Sequence, residues 1–311
     1  MKDLAELHAA ALAMAAEFRM SREEIAERYS RVRDREYWES LSPALTIGRL
    51  SQFDELPQAA DTQRAVEHFY RRERYFETPQ LLTSSTLAQL NAAIDAVTAA
   101  GWPALFALVG DLFWLCPRIA AVRQLVTSRI GDGYQQIPHV WLHIVRKVDG
   151  AGGWLPHFDG FRPARVSVWL ALTEATTTNG CMFLVPPNAL PESFRTLKIE
   201  TLATIDVMRA MHATRALPVP AGAAVGWDFD VFHWGGRAVN PDAERRSISM
   251  EFLGRAGTAD RDELPLLDLT GPLPPLDVRL KVIGIGLESY AKREPLSQRF
   301  TALAGELTKL C

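Results

Sequence analysis

A histidine and an aspartate two positions apart, His157 and Asp159, are well placed in this sequence to hold a metal ion. In an extended strand, residues i and i+2 point to the same side about 6 to 7 Å apart at Cα, so both side chains can approach one ion. A third ligand is available in His233, which ends an alternating apolar and polar run. Two histidines and one carboxylate form a facial triad that suits Fe(II) oxygen chemistry. The pattern therefore indicates a mononuclear iron site, although the pair alone would also fit hydrogen-bonded polar residues at a strand end.

An arginine-containing strand follows the distal histidine. In the run Arg245–Phe252, strand alternation places Arg245 and Ser247 on one face and Arg246 on the other. A guanidinium beside a hydroxyl is suited to bind both oxygens of a carboxylate. Because a buried arginine needs an anion, a bound organic acid is the expected partner of Arg245. Arg246 is the alternative if the strand register is shifted by one residue.

Two further histidines, His139 and His143, would form a zinc pair if they lay on a helix. The residues around them predict a strand, in which positions i and i+4 lie about 13 Å apart, so we do not expect them to share an ion. The three cysteines, Cys116, Cys181 and Cys311, are too widely spaced to suggest a zinc site or a disulfide framework. Their number and spacing fit a reducing compartment.

The elements that must position these residues change character near Gly131. Before it, apolar residues recur at helical spacing over Asp3 to Arg33, Thr62 to Phe76, Thr86 to Ala100 and Leu105 to Thr127. After it, short β-branched and aromatic runs separated by turn-forming residues predict strands at 140–145, 165–172, 181–185 and 247–252. From Leu280 onward the sequence is again helical. Helices followed by clustered strands predict a β-core with helices outside it.

The overall composition excludes several classes of protein. The 311 residues are 48% hydrophobic and 23% charged, with a formal net charge of −3, and without a basic cluster they give no footprint for nucleic acid. The apolar stretch Gly101–Cys116 is interrupted by Asp111 and is shorter than the roughly 20 residues of a membrane span. Acidic residues near Met1 predict a helix instead of a signal peptide. We therefore expect a cytoplasmic protein that binds neither nucleic acid nor membrane.

Together these motifs resemble the phytanoyl-CoA dioxygenase family of Fe(II)- and 2-oxoglutarate-dependent oxygenases. The resemblance extends over about residues 66–254 and includes the strand Trp169–Ala175, the turn at Asn179 and Gly180, and the run Pro220–His233. It implies a mainly β fold with flanking helices, whose core is a double-stranded β-helix, a cupin-like jelly roll. We expect a single domain over residues 1–311, with a helical buttress at 1–130, the β-helix core at 131–254 and a C-terminal extension at 255–311.

The resemblance also implies a role for each site residue. The iron ligands would be His157, Asp159 and His233. The co-substrate 2-oxoglutarate would chelate the iron and pair its far carboxylate with Arg245, assisted by Ser247, and O2 would be the oxidant. Relatives that halogenate have a small residue in place of the aspartate, so the retained Asp159 favours hydroxylation or a related hydrogen-abstraction outcome. The expected substrate is a small or mid-sized metabolite.

A lysine and a glycine-rich loop precede the first ligand. Lys147 falls where many family members have a lysine on a strand leading to the metal, so the resemblance assigns it to co-substrate binding. We expect the loop Gly150–Trp154 to border the entrance and to move, and the terminal helical regions to form a lid or a homo-oligomer contact. Desaturation, epimerisation or ring formation at the same site remain open, as does a non-catalytic barrel that binds a metal or a small molecule.

Overall fold

The computed structural model describes residues 20–197, 201–290 and 299–310. The beginning of the predicted helix from Asp3, together with Gln298 and Cys311, lies outside these ranges. The described residues separate into two compact units, one drawn from 20–51, 92–114 and 273–310 and the other from 52–91 and 115–272. The single domain over 1–311 stays a prediction. In the part of the chain that the structure describes, no helix is long and apolar enough to cross a membrane.

The first unit is helical. It contains the α-helices Arg22–Val32, Arg35–Leu41, Leu276–Tyr290 and Thr301–Leu307 and the 3₁₀ helix Ala104–Val109. The first of these helices is capped by Ser21, whose hydroxyl accepts a hydrogen bond from the Glu24 amide at 3.0 Å. The helical character expected from Leu280 onward is confirmed by the last two α-helices.

The second unit carries two antiparallel sheets. Its strands are β1 (Tyr75–Gln80), β2 (Gln135–Val145), β3 (Arg165–Ala171), β4 (Met182–Val185), β5 (Arg215–Leu217), β6 (Ala223–Asp228), β7 (Phe232–Gly235) and β8 (Arg245–Leu253). Five strands form one sheet in the order β1-β6-β3-β8-β2, and three form the other in the order β5-β4-β7. The four predicted strands correspond to β2, β3, β4 and β8, with ends that differ by up to five residues.

The two sheets pack face to face through apolar side chains. One buried cluster combines Trp169 and Val225 of the five-stranded sheet with Met182, Leu184 and Leu217 of the three-stranded sheet. These residues alternate along their strands with residues that face away from the cluster, as period-two geometry requires. The unit also contains the helices Ala60–Glu73, Ala120–Ile130, Ser193–Thr196 and Thr204–Ala213, while Ser84–Ala99 begins in this unit and ends in the other.

The predicted helix Thr62–Phe76 is wrong at its end. The observed helix stops at Glu73, and Arg74 follows with a φ of 66°, in the left-handed region. This residue redirects the chain, so Tyr75 and Phe76 begin β1 and pair with β6. Two aromatic residues that continue the helical spacing in the sequence therefore pack in the sheet.

The predicted helical stretch Leu105–Thr127 is divided into shorter pieces. It consists of the 3₁₀ helices Ala104–Val109 and Cys116–Arg118 and the α-helices Asp111–Leu115 and Ala120–Ile130. Gly110 has extended backbone angles, and Pro117 has no amide to donate to a continuous helix. The apolar spacing is thus helical, but the backbone is interrupted.

Candidate metal and co-substrate site

The structure brings His157, Asp159 and His233 together between the two sheets of the second unit. His233 lies on β7, and His157 forms an isolated antiparallel bridge with it in which each amide donates to the other's carbonyl at 3.0 Å. One potential ligand atom from each of the three residues lies within 4.8 Å of the others. The Nε2 atoms of His157 and His233 lie 3.5 and 3.6 Å from Asp159 Oδ1.

Hydrogen bonds to backbone carbonyls fix the tautomer of both histidines. His157 Nδ1 lies 2.7 Å from the Leu155 carbonyl oxygen, and His233 Nδ1 lies 2.9 Å from the Val231 carbonyl oxygen. Because a carbonyl oxygen can only accept, each Nδ1 carries the proton and each Nε2 has a free lone pair. A donated Nδ1–H of this kind orients metal-binding histidines in proteins, so both imidazoles are prepared to bind a cation.

Asp159 is held by the opposite sheet. Its Oδ2 accepts hydrogen bonds from the Ser167 hydroxyl at 2.6 Å and from the Trp227 indole at 2.9 Å, which leaves Oδ1 facing the histidines. Burial raises the pKa of Asp159, but His233, His157 and the Ser167 hydroxyl outweigh burial and hold this pKa well below its usual range. The third donor is therefore an ionised carboxylate. Burial also lowers the pKa of His233, which favours the neutral, metal-binding imidazole.

Arg245 faces the interior, as the alternation of its strand predicts. Its side chain is buried, donates to the Ser247 hydroxyl at 2.8 Å, approaches His143 Nδ1 at 3.4 Å and lies over the Trp169 ring at 5.3 Å. Arg246 points away from this interior and donates to Glu244 at 2.7 Å. The register alternative that would have placed Arg246 inside is therefore wrong.

No anionic partner accompanies this buried guanidinium. Among residues 20–197, 201–290 and 299–310, no carboxylate lies within 4.0 Å of Arg245, and its Nε has no hydrogen-bond partner. Burial lowers the pKa of Arg245 to about 10, because nearby groups compensate the buried charge only weakly. Burial and the charge of Arg245 also lower the pKa of His143 to about 3, so this imidazole is neutral. The arrangement is suited to receive a carboxylate.

The roles expected for Lys147 and the glycine-rich loop stay predictions. Lys147 lies exposed in the turn after β2, and the β2 side chain that contacts Arg245 belongs to His143. The loop is tied down by backbone hydrogen bonds, such as that from Gly153 to Gly236 at 3.2 Å. A Cβ on Gly153 would lie 2.5 Å from the Gly235 backbone, so this glycine permits a close approach of two chains.

The sequence reasoning missed four residues that shape the site: His143, Ser167, Trp169 and Trp227. His143, Ser167 and Trp169 lie on strands that the sequence identifies only as apolar or β-branched runs, and Trp227 lies on β6, which is not among the four predicted strands. The contacts of all four depend on pairing between distant segments. Period-two alternation shows that Arg245 and Ser247 share one face of β8, but it does not show which strands pair with β8. The rival zinc pair is not formed, because His143 contacts Arg245 whereas His139 contacts Glu251 at 3.5 Å.

Comparison with known proteins agrees with this geometry. The family model described as phytanoyl-CoA dioxygenase (PhyH) matches residues 124–247, which include all three candidate ligands together with Arg245 and Ser247, the candidate carboxylate clamp. Comparison with curated protein sequences gave no significant match.

Several solved structures share the fold. The non-heme alpha ketoglutarate dependent epimerase SnoN from nogalamycin biosynthesis is 19% identical over 70% of this chain and 94% of its own, with a TM-score of 0.52. AviO1 from Streptomyces viridochromogenes Tue57 is 19% identical over 65% and 99%, with a TM-score of 0.50. The non-heme monooxygenase ThoJ, in its nickel complex, is 18% identical over 76% and 99%, with a TM-score of 0.50. These likenesses confirm the jelly-roll core with flanking helices.

Proposed function

We propose that this chain, which carries a phytanoyl-CoA dioxygenase domain at residues 124–247, is an Fe(II)- and 2-oxoglutarate-dependent oxygenase that hydroxylates an unactivated C–H bond of a small or mid-sized metabolite. One observation supports this proposal above the others. Two imidazoles with protonated Nδ1 atoms direct their free Nε2 atoms toward one oxygen of an ionised carboxylate. This donor set is the 2-His-1-carboxylate facial triad of non-heme iron oxygenases.

The residues present fit iron in their orientation as well as in their number. His157 and His233 are fixed through their carbonyl partners, and Asp159 is fixed by Ser167 and Trp227, so every ligand has a supporting hydrogen bond. Supporting contacts of this kind typically change metal affinity 10- to 100-fold when removed. A structural zinc site normally has four protein ligands, whereas three ligands leave positions open for other molecules.

The buried clamp fits 2-oxoglutarate. We assign Arg245 and Ser247 to the far carboxylate of the co-substrate, because the guanidinium has no acidic partner among the described residues and its Nε is not hydrogen-bonded to any of them. His143 would pack beside this carboxylate and orient the guanidinium. Trp169 closes the same region with its ring. We leave Lys147 outside the co-substrate site, since it lies exposed in a turn.

The protein's contribution to catalysis is orientation and exclusion of water. Iron, when bound, supplies the activation of O2 that couples decarboxylation of 2-oxoglutarate to succinate and CO2 with oxidation of the substrate. Asp159 and the two histidines would hold the metal on one side, and Arg245 would fix the co-substrate on the other. The buried ring of Trp227 lies against Asp159 and that of Trp169 lies against Arg245, and the exclusion of water at these two contacts strengthens them electrostatically.

A second outcome at the same site is supported by the likeness to the epimerase SnoN. Hydroxylation and epimerisation would use the same ligands and co-substrate and would differ in how the substrate is placed. The cytoplasmic location and a homo-oligomer stay predictions from the sequence.

The proposal can be tested with the iron-loaded full chain, 2-oxoglutarate and a metabolite library. We expect one metabolite to stimulate succinate release and to gain the mass of one oxygen atom. A product with unchanged mass but altered stereochemistry would indicate epimerisation instead. If the protein binds neither Fe(II) nor 2-oxoglutarate, the proposed function is wrong.

A further inference from the structure

On the interior face of the five-stranded sheet, the part formed by β2 and β8 is polar and partly exposed. Strand pairing places Ser249 opposite Trp141 and Trp169, and Glu251 opposite Ser167, so these side chains point to the same interior. On β3 and β6 the interior residues are buried. On β2 and β8, four interior residues keep partial exposure: His139, His143, Ser249 and Glu251. We refer to the space in front of these four partly exposed side chains, on the face that also carries Arg245 and Ser247, as the chamber.

Glu251 lies at the metal end of this chamber. Its neighbour across the strands is Ser167, whose hydroxyl donates to Asp159 at 2.6 Å. Directly opposed residues have Cβ atoms about 4.5 to 5.5 Å apart, so Glu251 is a near neighbour of the metal-binding carboxylate. Arg245 lies six positions earlier on the same strand, which places the co-substrate clamp and Glu251 at different ends of the chamber.

The carboxylate of Glu251 is poorly compensated. Its ion-pair partner within the described ranges is His139, whose Nδ1 lies 3.5 Å from the carboxylate in the irregular part of β2 between Ile137 and Trp141. Burial raises the pKa of Glu251, and the hydrogen bond from His139 opposes burial. Burying a carboxylate costs free energy unless hydrogen-bond donors replace the water that it loses. Among the described residues, the imidazole at 3.5 Å leaves most acceptor positions of this partly exposed carboxylate without a protein donor.

We infer that Glu251, positioned by His139, binds a hydrogen-bond-donating group of the organic substrate, either an ammonium or a hydroxyl, and so determines substrate specificity. This inference rests on the proposed function and extends it to the substrate class. A donor on the substrate would satisfy the acceptor positions that the protein leaves open and would place a nearby carbon beside the metal. A substrate carboxylate would be repelled there by the ionised Asp159 and would offer no hydrogen-bond donor to Glu251.

Binding of three matched probes tests the inference without knowledge of the natural substrate. The probes share one ring: cyclohexylmethylamine, cyclohexylmethanol and cyclohexanecarboxylate. Their dissociation constants are measured by saturation-transfer NMR on the full chain loaded with 2-oxoglutarate and Zn(II), so that no turnover occurs. We expect the amine or the alcohol to bind and the carboxylate not to bind. The tighter of the two identifies which donor the site prefers.

Substitution of the carboxylate then identifies the residue responsible. Hydrogen bonds to charged groups typically contribute enough to change affinity 10- to 100-fold, so Glu251→Gln should raise the dissociation constant of the amine at least about 10-fold. Glu251→Asp, which keeps the charge but withdraws it, should weaken binding less. The matched control is Glu244→Gln, because Glu244 pairs with the outward-facing Arg246. That variant should bind the probes as the unmodified protein does.

Two results would overturn the inference while leaving the proposed function intact. In the first, the unmodified protein binds 2-oxoglutarate but neither the amine nor the alcohol. In the second, the probes bind equally well to Glu251→Gln, which still binds 2-oxoglutarate and keeps its unfolding midpoint. If the unmodified protein fails to bind 2-oxoglutarate, the proposed function and the inference that rests on it both fail.

Discussion

Replacing Arg245 with methionine should stabilise the protein in the absence of 2-oxoglutarate and abolish stabilisation by the co-substrate. Arg245 is 1% exposed, and no described carboxylate pairs with it. The substitution removes the charge and keeps a side chain of similar length. A residue retained only for structure would show the opposite behaviour, because its loss would destabilise the protein whether or not the ligand is present.

The magnitude follows from the cost of burying the charge. Burial lowers the pKa of Arg245 from 12.5 to about 10, and at about 1.4 kcal/mol per pKa unit this corresponds to roughly 3 kcal/mol against folding. The penalty is present at all pH values below about 10, where the guanidinium is protonated in both states. Loss of the hydrogen bond to Ser247 offsets about 1 kcal/mol. The free energy of unfolding should therefore rise by about 1 to 3 kcal/mol at pH 7, as when other buried ions are replaced by apolar side chains.

The co-substrate should have the opposite effect on the two proteins. Truncating one side of a buried charge pair costs about 2 to 5 kcal/mol, so the affinity of Arg245→Met for 2-oxoglutarate should fall at least about 30-fold. Denaturant unfolding with and without 2-oxoglutarate, and calorimetric titration of the metal-loaded protein, measure both quantities. Arg246→Met is the matched control and should bind 2-oxoglutarate normally, because Arg246 faces away from the interior.

Two outcomes would refute this reasoning. If Arg245→Met without ligand is less stable by more than about 1 kcal/mol, the guanidinium contributes to the fold and is not an uncompensated charge. If Arg246→Met weakens 2-oxoglutarate binding more than Arg245→Met does, the clamp has been assigned to the wrong residue.

Three further predictions concern the residues around the clamp and the metal. His233→Ala should lower Fe(II) affinity by more than about 100-fold in metal analysis, since losing a ligand should reduce metal affinity more than losing a supporting contact does. Asp159→Gly should retain some metal yet lose oxygenation of the substrate, and unimpaired oxygenation would contradict the assignment of Asp159 as a ligand. The unfolded protein takes up a proton at His143 below the ordinary pKa of 6.5, whereas in the folded protein the pKa of His143 is lowered to about 3. Between pH 6.5 and 4.5, His143→Gln should therefore lose about 2 to 3 kcal/mol less unfolding free energy than the unmodified protein, as measured by urea unfolding. Parallel pH profiles of the two proteins would refute this. Gly153→Ala should destabilise the protein by at least about 1 to 3 kcal/mol in thermal unfolding, because its Cβ would meet the Gly235 backbone, whereas Gly152→Ala should have little effect.

The ligand and clamp positions were accessible from the sequence because their geometry is local. Arg245 and Ser247 are two residues apart on β8, so period-two alternation puts both on one face. His157 and Asp159 have the same spacing and also approach one point, although His157 makes only an isolated bridge and Asp159 lies at a bend instead of on a strand. The clusters of β-branched residues likewise gave the principal strands. The fold class followed from these strands together with the family resemblance.

Other parts of the site depend on pairing between distant segments. Glu251 reaches the metal region because β8 pairs with β3 in a register that sets it opposite Ser167, and no local pattern encodes that register. Lys147 was placed by resemblance on a strand, but β2 ends at Val145, and the contact with the clamp comes from His143. The end of the helix before Tyr75 was missed because a single left-handed residue, Arg74, overrides the apolar spacing.

The three candidate metal ligands are held by contacts to both sheets of the second unit, so a metal bound there would have a mechanical role. His157 and His233 are paired through their backbones at β7, in the three-stranded sheet, whereas Asp159 is hydrogen-bonded to Ser167 and Trp227 of the five-stranded sheet. An ion bound by all three therefore acts as a cross-link between the sheets. The exchange rates of the slowly exchanging amides on β7 and β3 should increase together when a chelator removes the metal. Opening of the barrel then no longer requires a coordination bond to break. Metal coordination by these three residues would therefore also hold the two sheets together.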